Sequence, residues 1–152
     1  MKLSKPSFLA LAAIGWADGS LQRVESVGLL RAAKEAGLSD ADLADVERAT
    51  KQKTNLDELD LGTMTEWEQV LTYALASWLA SLDGVASTDE VEVLRTLGDR
   101  LGVSDGLRKR AQAVAFDISC LPEGGRPDRY DFQKLTARLA ERLPQLAPKA
   151  DE

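Results

Sequence analysis

The sequence predicts an all-α protein, about seven helices in one compact bundle built from two pseudo-repeats. Three observations carry that expectation. Apolar residues recur at helical spacing, and no segment alternates as a half-buried strand would. Glycines, prolines and Ser/Thr-Asp clusters punctuate the chain about one helix apart. One motif also occurs twice: Asp18-Gly19, five residues, then Glu25 is followed 65 residues later by Asp83-Gly84, five residues, then Glu90. Around it Leu29 matches Leu94, Gly37 matches Gly102, and Ser39-Asp40 matches Ser104-Asp105. An offset held over roughly two dozen residues marks a duplicated helix–loop–helix unit.

The elements follow in order. Pro6 suits a first helical turn, so the first helix runs from about Ser7 to Ala17. A second runs from about Gln22 to Ala36, with Val24, Val27, Leu30 and Ala33-Lys34 as its stripe, and Gly37 stops it. Ser39-Asp40-Ala41-Asp42 caps a third, which continues to about Lys51 and closes the first repeat, about residues 7–51. Residues 52–63 are polar and irregular and join the repeats. Thr65-Glu66-Trp67-Glu68 is a capping box opening a fourth helix that ends near Leu82. Ser87-Thr88-Asp89-Glu90 caps a fifth, ending before Gly102, and Ser104 caps a sixth, completing a second repeat of about residues 65–120. Residues 122–127 hold four breakers in six positions. A last helix spans about Asp131 to Leu143, with Phe132, Leu135, Leu139 and Leu143 on one side and Pro144 and Pro148 closing it. The whole of residues 1–152 reads as a single domain of ordinary size.

Composition removes whole classes of chemistry. Lys and Arg number 19 against 25 Asp and Glu, a net charge of −6, and such a surface repels phosphate backbones, so nucleic acid is not an expected partner. The basic run Arg108-Lys109-Arg110 reads as a solvated helix face. There is no histidine, and Cys120 is the lone cysteine. That excludes His-based acid–base catalysis, Ser-His-Asp and Cys-His nucleophiles, and ordinary zinc sites. An internal disulfide is excluded too, which suits a reducing, cytoplasmic compartment. Cys120 follows the apolar helix end Ala115-Phe116-Asp117-Ile118 and is expected to be a small buried hydrophobe. Lys2, Lys5 and the apolar run from Phe8 to Ile14 loosely resemble an export signal. Residues 8–17 stand before Asp18 as residues 73–82 stand before Asp83, so the segment reads as the first helix of the first repeat.

A metal here would need oxygen ligands, which restricts it to hard cations such as Ca²⁺, Mg²⁺ or Mn²⁺. An Asp-Gly with a Glu six residues after the Gly matches the second half of an EF-hand loop. The first half is missing: Ile14 or Leu79 would open the loop, with Trp16 or Ser81 third. Each copy offers an Asp, a carbonyl or two and a Glu, about half of the six to eight oxygens that Ca²⁺ prefers. Brought together, four carboxylates could share one ion; held apart, each site would be weak and completed by water. Each part also has a local explanation without metal. The glycines turn the chain, and Glu90 is the capping-box partner of Ser87, with Glu25 in the matching turn.

The pattern from Ala17-Asp18-Gly19 to Glu25 and Leu29-Leu30, with Asp83-Gly84 to Glu90 and Leu94, resembles the TerB-like proteins of bacterial tellurite resistance. The resemblance covers about residues 8–110. It implies an all-helical fold of two similar halves that binds a divalent cation, calcium foremost, through acidic loop residues, without catalysis. TerB-like modules accompany envelope-linked stress responses, and related ones precede J-domains in membrane co-chaperones. Carried over, the metal ligands are Asp18, Glu25, Asp83 and Glu90. Family members often carry more acidic residues between Gly and Glu; here the first copy has Gln22 and Arg23, and the second adds Asp89 alone. A cation at Arg23 opposes a divalent ion, so the first copy is expected to be the weaker. The resulting expectation is a non-enzymatic, cytoplasmic adaptor that binds Ca²⁺ but neither zinc nor nucleotide. It would work with a protein partner and associate peripherally with envelope-linked complexes. The alternative is a metal-free helical scaffold subunit of a larger bacterial assembly.

Overall fold

A computed structural model describes residues 1–17, 19, 21–81, 88–122, 126 and 129–147, all of them helix, turn or irregular. Seven α-helices occur among them: α1 (Lys5–Gly15), α2 (Arg23–Glu35), α3 (Asp40–Lys51), α4 (Glu66–Ala80), α5 (Thr88–Leu101), α6 (Asp105–Ser119) and α7 (Phe132–Arg142). A single 3₁₀ turn, Leu56–Glu58, interrupts the linker that the sequence reads as irregular. Leu56 and Leu61 of that linker are buried, and the Arg100 guanidinium of α5 donates to the carbonyls of Leu56 and Leu59. The connection is therefore stitched to the second half of the bundle.

Local chemistry sets the boundaries. Ser39 Oγ accepts from Asp42 N–H at 3.2 Å, Ser104 Oγ from Leu107 N–H at 3.4 Å, and Thr65 Oγ1 from Glu68 N–H at 3.2 Å. Each satisfies an orphan donor of a first helical turn. Gly37 and Gly102 close α2 and α5 at φ of 79° and 74°, a region from which a side chain is nearly excluded. Helices α1 and α4 end two residues before the ends read from sequence. Trp16 and Ala17 turn instead, with Ala17 N–H donating to Ile14 O and Gly19 N–H to Trp16 O. The offset of 65 persists in these bounds: α1 and α4 end at Gly15 and Ala80, α2 and α5 begin at Arg23 and Thr88, and α3 and α6 begin at Asp40 and Asp105.

The two most apolar helices, α1 and α4, form the centre and pack on each other. Helix α1 also packs on α2, α3 and α5, and α4 on α2, α5 and α6, while α7 covers α6. Alanines at 10, 12, 13, 74, 76 and 80 are fully or almost fully buried and let these backbones approach closely. Where α1 meets α4, Thr72 Oγ1 donates to Ser7 Oγ at 2.9 Å, and these two residues are themselves 65 apart. Among the described residues no helix is long and apolar enough to cross a membrane.

Two sequence expectations about faces are corrected. On α2 the buried stripe is Glu25, Gly28, Leu29, Ala32 and Ala33, while Val24 and Val27 are 42% and 41% exposed. The buried stripe lies about one position, 100° of helix, from the one the valines mark. Cys120 is exposed, not buried. The inner face of α6 carries Ala111, Val114, Ala115 and Ile118, and a residue two beyond Ile118 falls about 200° around the helix, on the face that also exposes Phe116.

Tyr130 is completely buried, and its hydroxyl donates to Ala115 O at 3.0 Å. Burial pushes its phenol well above the ordinary tyrosine value. The unfolded chain would ionise this group near pH 10 while the folded chain holds it protonated, so its contribution to stability is complete below about pH 10 and falls as pH rises further. Tyr130→Phe is therefore expected to flatten the loss of stability between about pH 9.5 and 11.5, read from urea midpoints across that range. Tyr73, whose phenol burial also raises, retains a residual slope. Equal slopes in both proteins would show that Tyr130 does not govern the alkaline limb.

Candidate functional site

The candidate cation site begins where α1 stops. Past Trp16 and Ala17 the chain turns through Gly19 at φ of 99° and re-enters helix at Gln22. Glu25, in the first turn of α2, then points back: its Oε1 accepts from Gln22 N–H at 3.0 Å. Gly15 makes room for this. A Cβ there would lie 2.4 Å from Leu21 Cδ1 and 3.4 Å from Glu25 Oε2, so a side chain would displace Leu21 from the end of α1.

Glu90 occupies the corresponding turn of α5. Glu25 is 5% and Glu90 3% exposed, and they are the only carboxylates buried among the described residues. Withdrawing an anion from water costs several kcal/mol unless a cation or several N–H donors answer it. Glu25 is answered by the capping box it forms with Gln22, and neither glutamate is without a partner in the fold.

Asp18 and Asp83, the other two sequence-derived ligands, lie outside the described residues, as do Ser87 and the two loop carbonyls at Ser20 and Val85. Among the described residues no three acidic or thiol side chains gather as a metal cluster. The donor chemistry of Glu25 and Glu90 fits a hard divalent cation; with no histidine in the chain and Cys120 exposed beyond the end of α6, zinc chemistry does not fit.

The flanks of the two loops do come together. A cleft of about 390 Å³ is lined by Trp16 and Ala17 from the end of α1, Asp57 from the linker, and Asp89 and Glu92 from α5. Ala17 precedes Asp18 and Asp89 precedes Glu90, so residues adjoining both motifs border one space. Trp16 is fixed there by Nε1–H donating to Ala49 O at 2.8 Å on α3. Asp57 and Glu92 were not legible as site residues, because no local spacing joins a linker aspartate to the outer face of α5; packing alone does so.

The fold and the site thus define an all-helical bundle with a pair of buried glutamates at one register. Compared with known protein families, curated proteins and solved structures, the chain matches none.

Proposed function

We propose that this chain is a non-enzymatic, TerB-like helical module that takes up one divalent cation, Ca²⁺ in preference to Mg²⁺. Its ligands are Asp18, Glu25, Asp83 and Glu90, and it acts as an adaptor for a protein partner in a cytoplasmic, envelope-linked stress response. One observation carries the reading: the only buried carboxylates among the described residues are the two glutamates of the repeated motif. One ion shared by both loops is the form proposed here, since residues adjoining both motifs, Ala17 and Asp89, border one cleft, although neither Glu25 nor Glu90 lines it. Bound there, the cation would add carboxylate ligation to side chains that the fold already holds in place with partners of their own. Flexible carboxylates and carbonyls suit Ca²⁺ better than the rigid octahedron of Mg²⁺.

Calorimetry on chelator-stripped protein tests this. Expected are one Ca²⁺ per chain, weaker Mg²⁺ binding, no specific Zn²⁺ binding, and a change in Trp16 fluorescence on loading. With a shared ion, Asp18→Asn and Asp83→Asn weaken binding alike. Loss mainly from Asp83→Asn would instead mean two sites, the first degraded by Arg23. No Ca²⁺-dependent heat or fluorescence change at millimolar concentration would remove the metal altogether. The reading that then remains, a metal-free scaffold subunit, is favoured by the Gln22 N–H to Glu25 Oε1 bond, which makes Glu25 a helix cap in its own right.

A further inference from the structure

A second cleft, of about 270 Å³, lies between α5 and α6 over the side of α4, and it shares no lining residue with the first. Its polar members are unlike the rest of this acidic chain. Tyr73 is 3% exposed, and its hydroxyl is hydrogen-bonded to the Gln112 side-chain amide at 3.0 Å on the cleft wall. Arg95 and Lys109 are exposed on the rim, and neither joins an ion pair among the described residues. Arg108 is differently placed. Its Nε–H donates to Val103 O at 2.7 Å and its Nη2 to Asp99 Oδ1 at 2.8 Å, with the guanidinium lying where a Cβ on Gly98 would come within 2.6 Å of it. It forms a fixed positive wall, leaving the other donors uncommitted.

The first half of the chain supplies an internal control. At the offset of 65, Phe8 stands at the place of Tyr73, Leu30 at Arg95, Leu43 at Arg108 and Ala44 at Lys109. Leu30 and Leu43 pack against the core. Packing in this architecture is thus satisfied there by apolar side chains, and nothing in the helix contacts calls for a phenol and three cations.

We propose that this cleft binds a small phosphate monoester, its phosphoryl oxygens met by the Tyr73 hydroxyl, Arg95 and Lys109 and its organic part laid on Val91 and Leu94. Donors converging from three residues suit a tetrahedral oxyanion with several acceptors. The volume exceeds what a phosphoryl group fills, and Val91, 47% exposed, provides apolar wall for the remainder. One group opposes the ligand: Asp105, in the first turn of α6, also lines the cleft. Arg108 is already paired with Asp99, so Arg95 and Lys109 are the two cations set against it, and it should weaken binding. The site is independent of the cation reading and stands whether or not Ca²⁺ binds.

The test is calorimetric titration of the intact protein with propyl phosphate, inorganic phosphate and a Glu-rich peptide. Propyl phosphate is expected to bind more tightly than inorganic phosphate. Tyr73→Phe and Arg95→Leu, which install the residues of the first half, should each weaken it about tenfold or more. Asp105→Asn should tighten it. Lys109→Ala, at an exposed position that leaves folding alone, should weaken it as well and carries the test if Tyr73→Phe lowers stability. Propyl phosphate binding unaltered by Tyr73→Phe, Arg95→Leu and Lys109→Ala would overturn the proposal, as would no binding at millimolar concentration. Tighter binding of the peptide than of propyl phosphate would overturn it too, making the cleft a seat for an acidic protein segment.

Discussion

Trp78→Ala is expected to destabilise the protein by about 4 kcal/mol, the range for deleting a large aromatic from a packed core. Trp78, on the last turn of α4, stacks on Tyr130 with ring centroids 4.5 Å apart and meets the edge of Phe132 at 5.1 Å. Tyr130 and Phe132 are 5.3 Å apart, and the Arg31 guanidinium of α2 lies 4.7 Å from the Phe132 centroid. One indole therefore joins α4, the segment leading into α7, and through Phe132 the outer side of α2. Such a loss is a large fraction of an ordinary folding free energy of about 5–15 kcal/mol. Urea unfolding should show a lower midpoint at unchanged slope, and near-UV circular dichroism should lose aromatic signal. Trp78→Phe separates packing from polarity. Because Nε1 has no hydrogen-bond partner among the described residues, phenylalanine forfeits volume alone and should cost about half as much or less. A loss below about 1 kcal/mol for Trp78→Ala would mean that the cluster does not tie these elements together.

Glu90→Gln is expected to abolish the stabilisation that Ca²⁺ confers, the largest functional effect of any single change in the chain. A ligand present at a hundred times its dissociation constant stabilises the folded state by about 2.7 kcal/mol, and a variant that no longer binds forgoes all of it. Glutamine keeps an acceptor for the helix terminus and removes the charge a divalent cation requires. The metal-free melting temperature should change little, since glutamine is allowed in a capping box. Thr65→Ala is the control: it removes the cap of α4, away from the motif, and should cost about 1 kcal/mol with or without Ca²⁺. If wild type and Glu90→Gln respond alike to Ca²⁺, Glu90 is a cap and not a ligand.

The architecture was legible because its punctuation is chemical and local. Ser39, Thr65 and Ser104 cap where a hydroxyl three residues before a free N–H must cap, and Gly37 and Gly102 stop helices where φ turns positive. Phe132, Leu135, Leu139 and Leu143 are all buried, as their spacing requires. Faces were harder. Val24 and Val27 look like core residues, but the face of α2 turned to the core carries Glu25, Gly28, Leu29, Ala32 and Ala33. Cys120 reads as the end of an apolar stretch, yet the helix turns it outward. Of the site, the burial of Glu25 and Glu90 follows from the motif once its register is known. The joining of Asp57, Glu92 and Trp16 in one cleft does not, because it arises from tertiary packing. The run Arg108-Lys109-Arg110 reads as one solvated face; in the fold Arg108 is tied to Val103 and Asp99 and Lys109 borders a cleft.

Ser7 and Thr72 hold the same place in their respective helices and are hydrogen-bonded to each other. At this one bond like meets like, as in an isologous homodimer contact, but within one polypeptide. Covalent linkage changes what such an interface demands. The segment after α3 keeps the two faces at a high effective concentration, so they need not attract each other as strongly as separate subunits would. Nor need the two halves stay identical, as the protomers of a true homodimer must. Each is free to alter its outer surface while the shared inner seam stays fixed. At the offset of 65, leucines at 30 and 43 that pack against the core stand where the other half has arginines at 95 and 108.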